Sequence, residues 1–109
     1  MQITKSLHSA VLVSDLEQAE HFYSNILGLS KVDRVLKYPG AWYQVADFQL
    51  HLIVDPTVTT KLANLEKLGR NPHVALAVEN LDDAKNQLLA HGCMVQSSAS
   101  ARIDSQRWN

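Results

Sequence analysis

Three histidines occupy positions from which short strands would present imidazoles to a common space: His8, His51 and His73. A neutral imidazole is a ligand for Zn²⁺, Ni²⁺, Mn²⁺ or Fe²⁺, so the set suggests a divalent-metal centre. A facial site of that kind also wants a carboxylate, and the acids are poorly placed for it. Asp47 and Asp55 read as turn residues, and Asp104 is the only acid after residue 97. His21 and His91 fall among polar residues on helical segments and read as surface groups. Arg34, Trp42 and Tyr43 are candidates for the wall of a substrate pocket. The serines at 97, 98 and 100 are accompanied by no positioned base, and no catalytic base is assigned.

Two of the three histidines stand at equivalent places in an internal repeat. His8 aligns with His73, Ala10 with Ala75, Asp15 with Asn80, Leu16 with Leu81 and Ala19 with Ala84, all at an offset of 65. A fixed period marks two copies of one supersecondary unit. Each copy reads as a histidine-bearing strand, a cap and a helix. At the same offset the second copy would run past Asn109, so it is expected to lack its last strands.

The strands set which side chains share a face. Val11 and Val13 take one side of the first strand, with His8, Ala10 and Leu12 on the other. Val74, Leu76 and Val78 alternate in the same way with His73, Ala75 and Ala77. The bulky faces are those a helix would cover, whereas small residues beside an imidazole leave room for a ligand. Within 48–54, Gln49, His51 and Ile53 lie opposite Phe48, Leu50, Leu52 and Val54.

Ser14 with Glu17 reads as a capping box ahead of a helix carrying Leu16, Ala19, Phe22, Tyr23, Ile26 and Leu27, which stops at Gly28. Strands are expected at 31–37, 41–45 and 48–54, turning at Tyr38-Pro39-Gly40 and Ala46-Asp47. Leu62, Leu65 and Leu68 predict a short helix ending at Gly69, followed by a strand from His73. Asn80 then caps a helix ending at Gly92, and a strand is expected at 93–96. The organisation is α+β: unit one over 3–55, a linker helix over 57–70, and an incomplete unit two over 72–109.

A chain of 109 residues with 46% hydrophobic and 19% charged residues has the make-up of one globular domain. A formal net charge of −1 without a basic cluster argues against nucleic acid and anionic membranes as partners. Cys93 stands alone, so no disulfide forms within the chain. No apolar run reaches membrane-spanning length, and a cytoplasmic location is expected.

The segment His8–Leu29, read as H-x-A-x-x-V-x-D-L-x-x-A-x-x-F-Y-x-x-x-L-G-L, resembles the vicinal oxygen chelate superfamily. Glyoxalase I, extradiol dioxygenases and bleomycin-binding proteins are members. The resemblance covers residues 3 to about 96. It implies paired β-α-β-β-β units forming a cupped sheet with a divalent metal in the cup. His8 and His73 match the first-strand ligands, and His51 matches the last-strand position of the first unit. A C-terminal glutamate ligand has no counterpart here. The activity implied is metal-dependent lyase or isomerase chemistry of the lactoylglutathione lyase kind, or extradiol dioxygenation, on a small substrate with neighbouring oxygens. Metal-free capture of a small molecule, as in bleomycin resistance, and an inactive truncated form are the alternatives. A homodimer is expected, because a sheet lacking its last strands would expose backbone edges.

Overall fold

Alternation along β4 (Phe48–Val54) divides the first unit into a packed face and an open one. The computed structural model describes residues 1–58 and 62–97. These belong to two units, Met1–Thr60 and Lys61–Asn109. Among the described residues no helix is long and apolar enough to cross a membrane. Asp104 and the serines at 98 and 100 lie outside the described residues.

Unit one is β-α-β-β-β, as its sequence predicts. Its four strands are β1 (His8–Val13), β2 (Ser30–Lys31), β3 (Gly40–Val45) and β4, in the order β1-β4-β3-β2. β1 runs parallel to β4, while β3 runs antiparallel to both β4 and β2. Parallel pairing requires a crossover, which α1 (Leu16–Glu20) and the turn after it supply.

Register accounts for the core. Val11 pairs with Leu52 and Leu52 with Ala41, while Leu50 pairs with Tyr43. Ala41, Tyr43, Leu50 and Leu52 are buried, with Val11, Val13, Leu16, Ala19 and Tyr23 packed against them. Leu16, Ala19 and Tyr23 recur at helical spacing, which puts one stripe of the helix on this face. The Tyr43 hydroxyl, at full burial, meets Ser24 Oγ at 2.7 Å. Gly40 admits close contact: a Cβ there would stand 2.3 Å from the Leu52 carbonyl oxygen.

Three local expectations for this unit are corrected. The cap is Asp15, not Ser14. Its carboxylate Oδ1 accepts from the Gln18 N–H at 3.1 Å, which starts the helix at Leu16. Past Glu20 the helix widens into a π-type turn (His21–Ile26), where the Leu27 N–H reaches the Phe22 carbonyl at 2.9 Å. It ends at Gly28 with φ +70°, as its glycine implies. The strand expected over 31–37 is only Ser30–Lys31 with one further bond, Val32 N–H to Trp42 O at 2.7 Å. Asp33, a poor strand former, follows directly, and Arg34 leaves the ladder to lie over Trp42.

Unit two contains α2 (Leu81–Ala90). Asn80 caps it as expected, its Oδ1 accepting from the Asp83 N–H at 3.0 Å. Gly92 and Cys93 close its end by donating to Leu89 and Leu88 carbonyls. The helix expected from Leu62 to Gly69 is instead a looped turn with a 3₁₀ segment, Leu68–Arg70. Asn64 Oδ1 takes the Glu66 and Lys67 N–H groups, and the buried Asn71 amide donates to the Asn64 and Leu68 carbonyls. Side-chain amides thus take backbone groups that a helix would need. The strands expected at 73–78 and 93–96 pair with no described residue of their own unit. A strand without a ladder partner is not held as one.

Candidate functional site

The open face of unit one carries a column of stacked side chains, one from each strand or its extension. Ala10, His51 and Trp42 share a register row, so Trp42 lies directly across from His51. Their rings are 5° from parallel with centroids 3.9 Å apart. Ala10, the other neighbour of His51, is too short to reach it. His8, two residues earlier in β1, leans into that space and stacks on His51 at 4.2 Å and 17°. Arg34 Cζ lies 4.1 Å from the Trp42 centroid. Since His51 covers one face of the indole, Arg34 must cover the other. The indole N–H donates to the Tyr38 hydroxyl at 3.1 Å.

Between its two neighbours His51 is only 6% exposed. Its pKa is pushed below the usual imidazole value by burial first, then by His8 and the Arg34 charge. It is therefore neutral at pH 7, and its tautomer follows from a chain of side-chain amides. Gln44 Nε2 donates to the Ala46 carbonyl at 2.7 Å, leaving Gln44 Oε1 to accept from Gln49 Nε2 at 2.9 Å. Gln49 Oε1 then faces His51 Nε2 at 2.9 Å and can only accept. The proton sits on Nε2, and Nδ1 carries the lone pair. Gln44 and Gln49 were not singled out from sequence. The available signal was their place on the histidine face, two residues from Trp42 and His51.

The predicted site residues separate by strand parity. His8, His51, Trp42 and Arg34 come together. Tyr43, expected beside Trp42 at the pocket wall, is on the opposite face, fully buried and tied to Ser24. Adjacent strand residues cannot both face one side, which removes Tyr43 from this surface. His73 lies in unit two, where its Nδ1 faces the Asn71 carbonyl at 2.8 Å. A carbonyl only accepts, so Nδ1 holds the proton and Nε2 carries the lone pair, an arrangement found behind metal-bound histidines.

His8 and His51 do not converge on one metal ion as they are stacked. Imidazole lone pairs lie in the ring plane, and nitrogen must approach zinc to about 2.0–2.1 Å. Two rings stacked at 4.2 Å and 17° cannot both aim a nitrogen at one ion. Among the described residues no three His, Cys, Asp or Glu side chains gather into a cluster.

Beside the column, an open cleft of about 250 Å³ runs along the end of β2 and β3. Lys31, Arg34, Tyr38 and Trp42 supply its polar lining, with Leu16, Val32 and Leu36 as apolar wall. Lys31 is paired with Glu20 at 2.7 Å.

Comparison with known proteins places this architecture. Its fold is shared with an integron cassette protein from the Halifax Harbour sewage outfall metagenome, at TM-score 0.70 and 19% identity over 95% of this chain and 84% of that one. A genomically encoded fosfomycin resistance protein from Listeria monocytogenes superposes at TM-score 0.67, with 16% identity over 89% and 72% of the two chains. Lactoylglutathione lyase from Agrobacterium tumefaciens gives 0.60, with 17% identity over 88% and 76%. No curated protein sequence matches the chain. A family model matches residues 5–108, and the chain belongs to the Glyoxalase/Bleomycin resistance protein/Dioxygenase superfamily.

Proposed function

We propose that this chain binds a small molecule on the imidazole–indole face of unit one, without a metal step. The observation carrying this reading is the column His8–His51–Trp42–Arg34. It offers the ring edges of the column, a neutral imidazole with a bare Nδ1, and a cation. Such a surface suits a ligand with neighbouring oxygens, one accepting from Arg34 and a hydroxyl donating to the bare Nδ1 of His51. Imidazole and indole chemical shifts, followed as small hydroxy acids and ketones are added to labelled protein, test it. Shifts at His8, His51 and Trp42 support the reading, and a face silent to every compound overturns it.

A second reading is metal-dependent lyase or isomerase activity, as the name of the Agrobacterium neighbour suggests. It is favoured by the Nδ1–H bond of His73, which leaves the lone pair on its Nε2, and by imidazoles at repeat-related or sheet-related positions. It requires the His8–His51 stack to open. Retention of metal after dialysis, lost in both His8→Ala and His73→Ala, would establish it.

The proposed working form is a homodimer. β1 ends the sheet of unit one, so among the described residues of that unit its outer edge has no partner strand. Light scattering at micromolar concentration gives the mass directly, and a monomer would refute it.

A further inference from the structure

We infer that the cleft beside Arg34 takes the acid group of a small organic acid, a carboxylate or a phosphonate. The inference rests on the reading that unit one holds a small molecule, and it names that ligand's charge. Lys31 and Arg34 are the charged residues of the lining, and no Asp or Glu is among them. Lys31 is neutralised by Glu20 at 2.7 Å. Among the described residues no carboxylate lies within ion-pair reach of Arg34, so its charge is the uncompensated one.

Trp42 fixes where that charge stands. The indole is clamped by His51 on one face and by its N–H bond to Tyr38 at the edge, and Arg34 lies over the remaining face. A guanidinium resting on an aromatic face keeps its N–H fork for a ligand, and that fork matches two oxygens of a carboxylate or phosphonate. The Tyr38 hydroxyl, which accepts from Trp42, retains its own proton to donate. Leu16, Val32 and Leu36 provide an apolar wall for the ligand body. A volume of about 250 Å³ lies just below the usual range for ligand sites, which points to a compact acid about the size of benzoate.

The test titrates the full chain with benzoate, phenylphosphonate and the uncharged isostere benzamide. Binding is read from the Arg34 Nε–H and the Trp42 indole N–H, with the His8 and His51 imidazoles recorded alongside. Either acid should bind at least about tenfold more tightly than benzamide, the worth of a charge-assisted bond. The tighter of the two identifies the acid geometry. Arg34→Gln should lose that advantage, while Arg34→Lys retains part of it, because charge persists without the fork. Arg34 is exposed and outside the core, so these variants fold. Equal binding of benzamide and benzoate, or unchanged benzoate binding by Arg34→Gln, overturns the inference. If benzamide alone shifts His8 and His51, the acid site fails while the small-molecule reading stands. If no probe shifts any of these groups, both fail.

Discussion

The centroids of the Trp42 indole and the His51 imidazole lie 3.9 Å apart with the rings 5° from parallel, and this contact covers one face of His51 while His8 covers the other. Adjacent strands are spaced at about 4.8 Å, so flat side chains in one register row stack with little adjustment. Trp42→Ala should therefore open one face of His51 and move its titration up toward the ordinary imidazole value. Loss of a half-buried indole should also cost about 1–3 kcal/mol of stability. Imidazole titration by NMR and urea unfolding check the two effects. An unchanged His51 titration would show that the indole does not bury it.

Stability should depend on pH through the same residue. Burial, His8 and Arg34 hold the folded-state pKa of His51 below the usual value of about 6.5. The unfolded chain then binds the proton more readily. Its contribution is fully present above pH ~6.5 and is lost as pH falls through the folded-state pKa. Asp55, held below its ordinary value by bonds from Thr57, acts in a separate window, losing its contribution below about pH 3.8. Urea midpoints at pH 7.5 and pH 5 should differ, with the wild type weaker at the lower pH. His51→Gln should reduce that difference; equal slopes in both proteins would exclude His51 as its source.

The amide chain from Ala46 through Gln44 and Gln49 should hold His51 in its Nε2–H form. In the wild type, ¹⁵N imidazole shifts should show Nδ1 as the unprotonated nitrogen. Gln49→Leu removes the acceptor and should produce a mixture of tautomers. Gln44→Leu should give a smaller change in the same sense, because it acts one link away. A wild-type imidazole with its proton on Nδ1 would contradict the chain's polarity.

Much of unit one is written in alternation. Leu50 and Leu52 against Gln49 and His51 separate the packed face from the open one, and the structure keeps that division along β4. Gly28 and Asn80 mark a helix stop and a start because their chemistry is local. Alternation should also have separated Trp42 from Tyr43, but two adjacent aromatics suggested a single wall. The 62–69 segment failed for another reason. Its leucine spacing is helical, yet Asn64 and Asn71 compete for the backbone from seven residues apart. The stack itself was hidden, since Arg34 joins it only by leaving β2.

Ser24 and Tyr43 should behave as a coupled pair on the packed side. Tyr43→Phe removes a hydroxyl that meets Ser24 Oγ at 2.7 Å and should cost about 1 kcal/mol. Ser24→Ala instead strands the buried phenol and should cost more, about 1–3 kcal/mol. The double variant should then fall short of the sum of the singles. Additive losses would mean that the bond contributes nothing to folding.

Divalent metal should bind weakly to the wild type, because the two imidazoles of unit one must first come apart. Unstacking exposes a ring that is 6% exposed at rest and removes its contact with His8. Zn²⁺ bonds by in-plane lone pairs, so the metal competes directly with the stack. Titration calorimetry should give an affinity that rises when Trp42→Ala loosens the column, the reverse of what a preformed site would show. His8→Ala, which leaves His51 without its partner, should bind less metal than either. Tight binding that survives chelator dialysis, and weakens in Trp42→Ala, would show that the stack is not the resting arrangement and that the imidazoles converge.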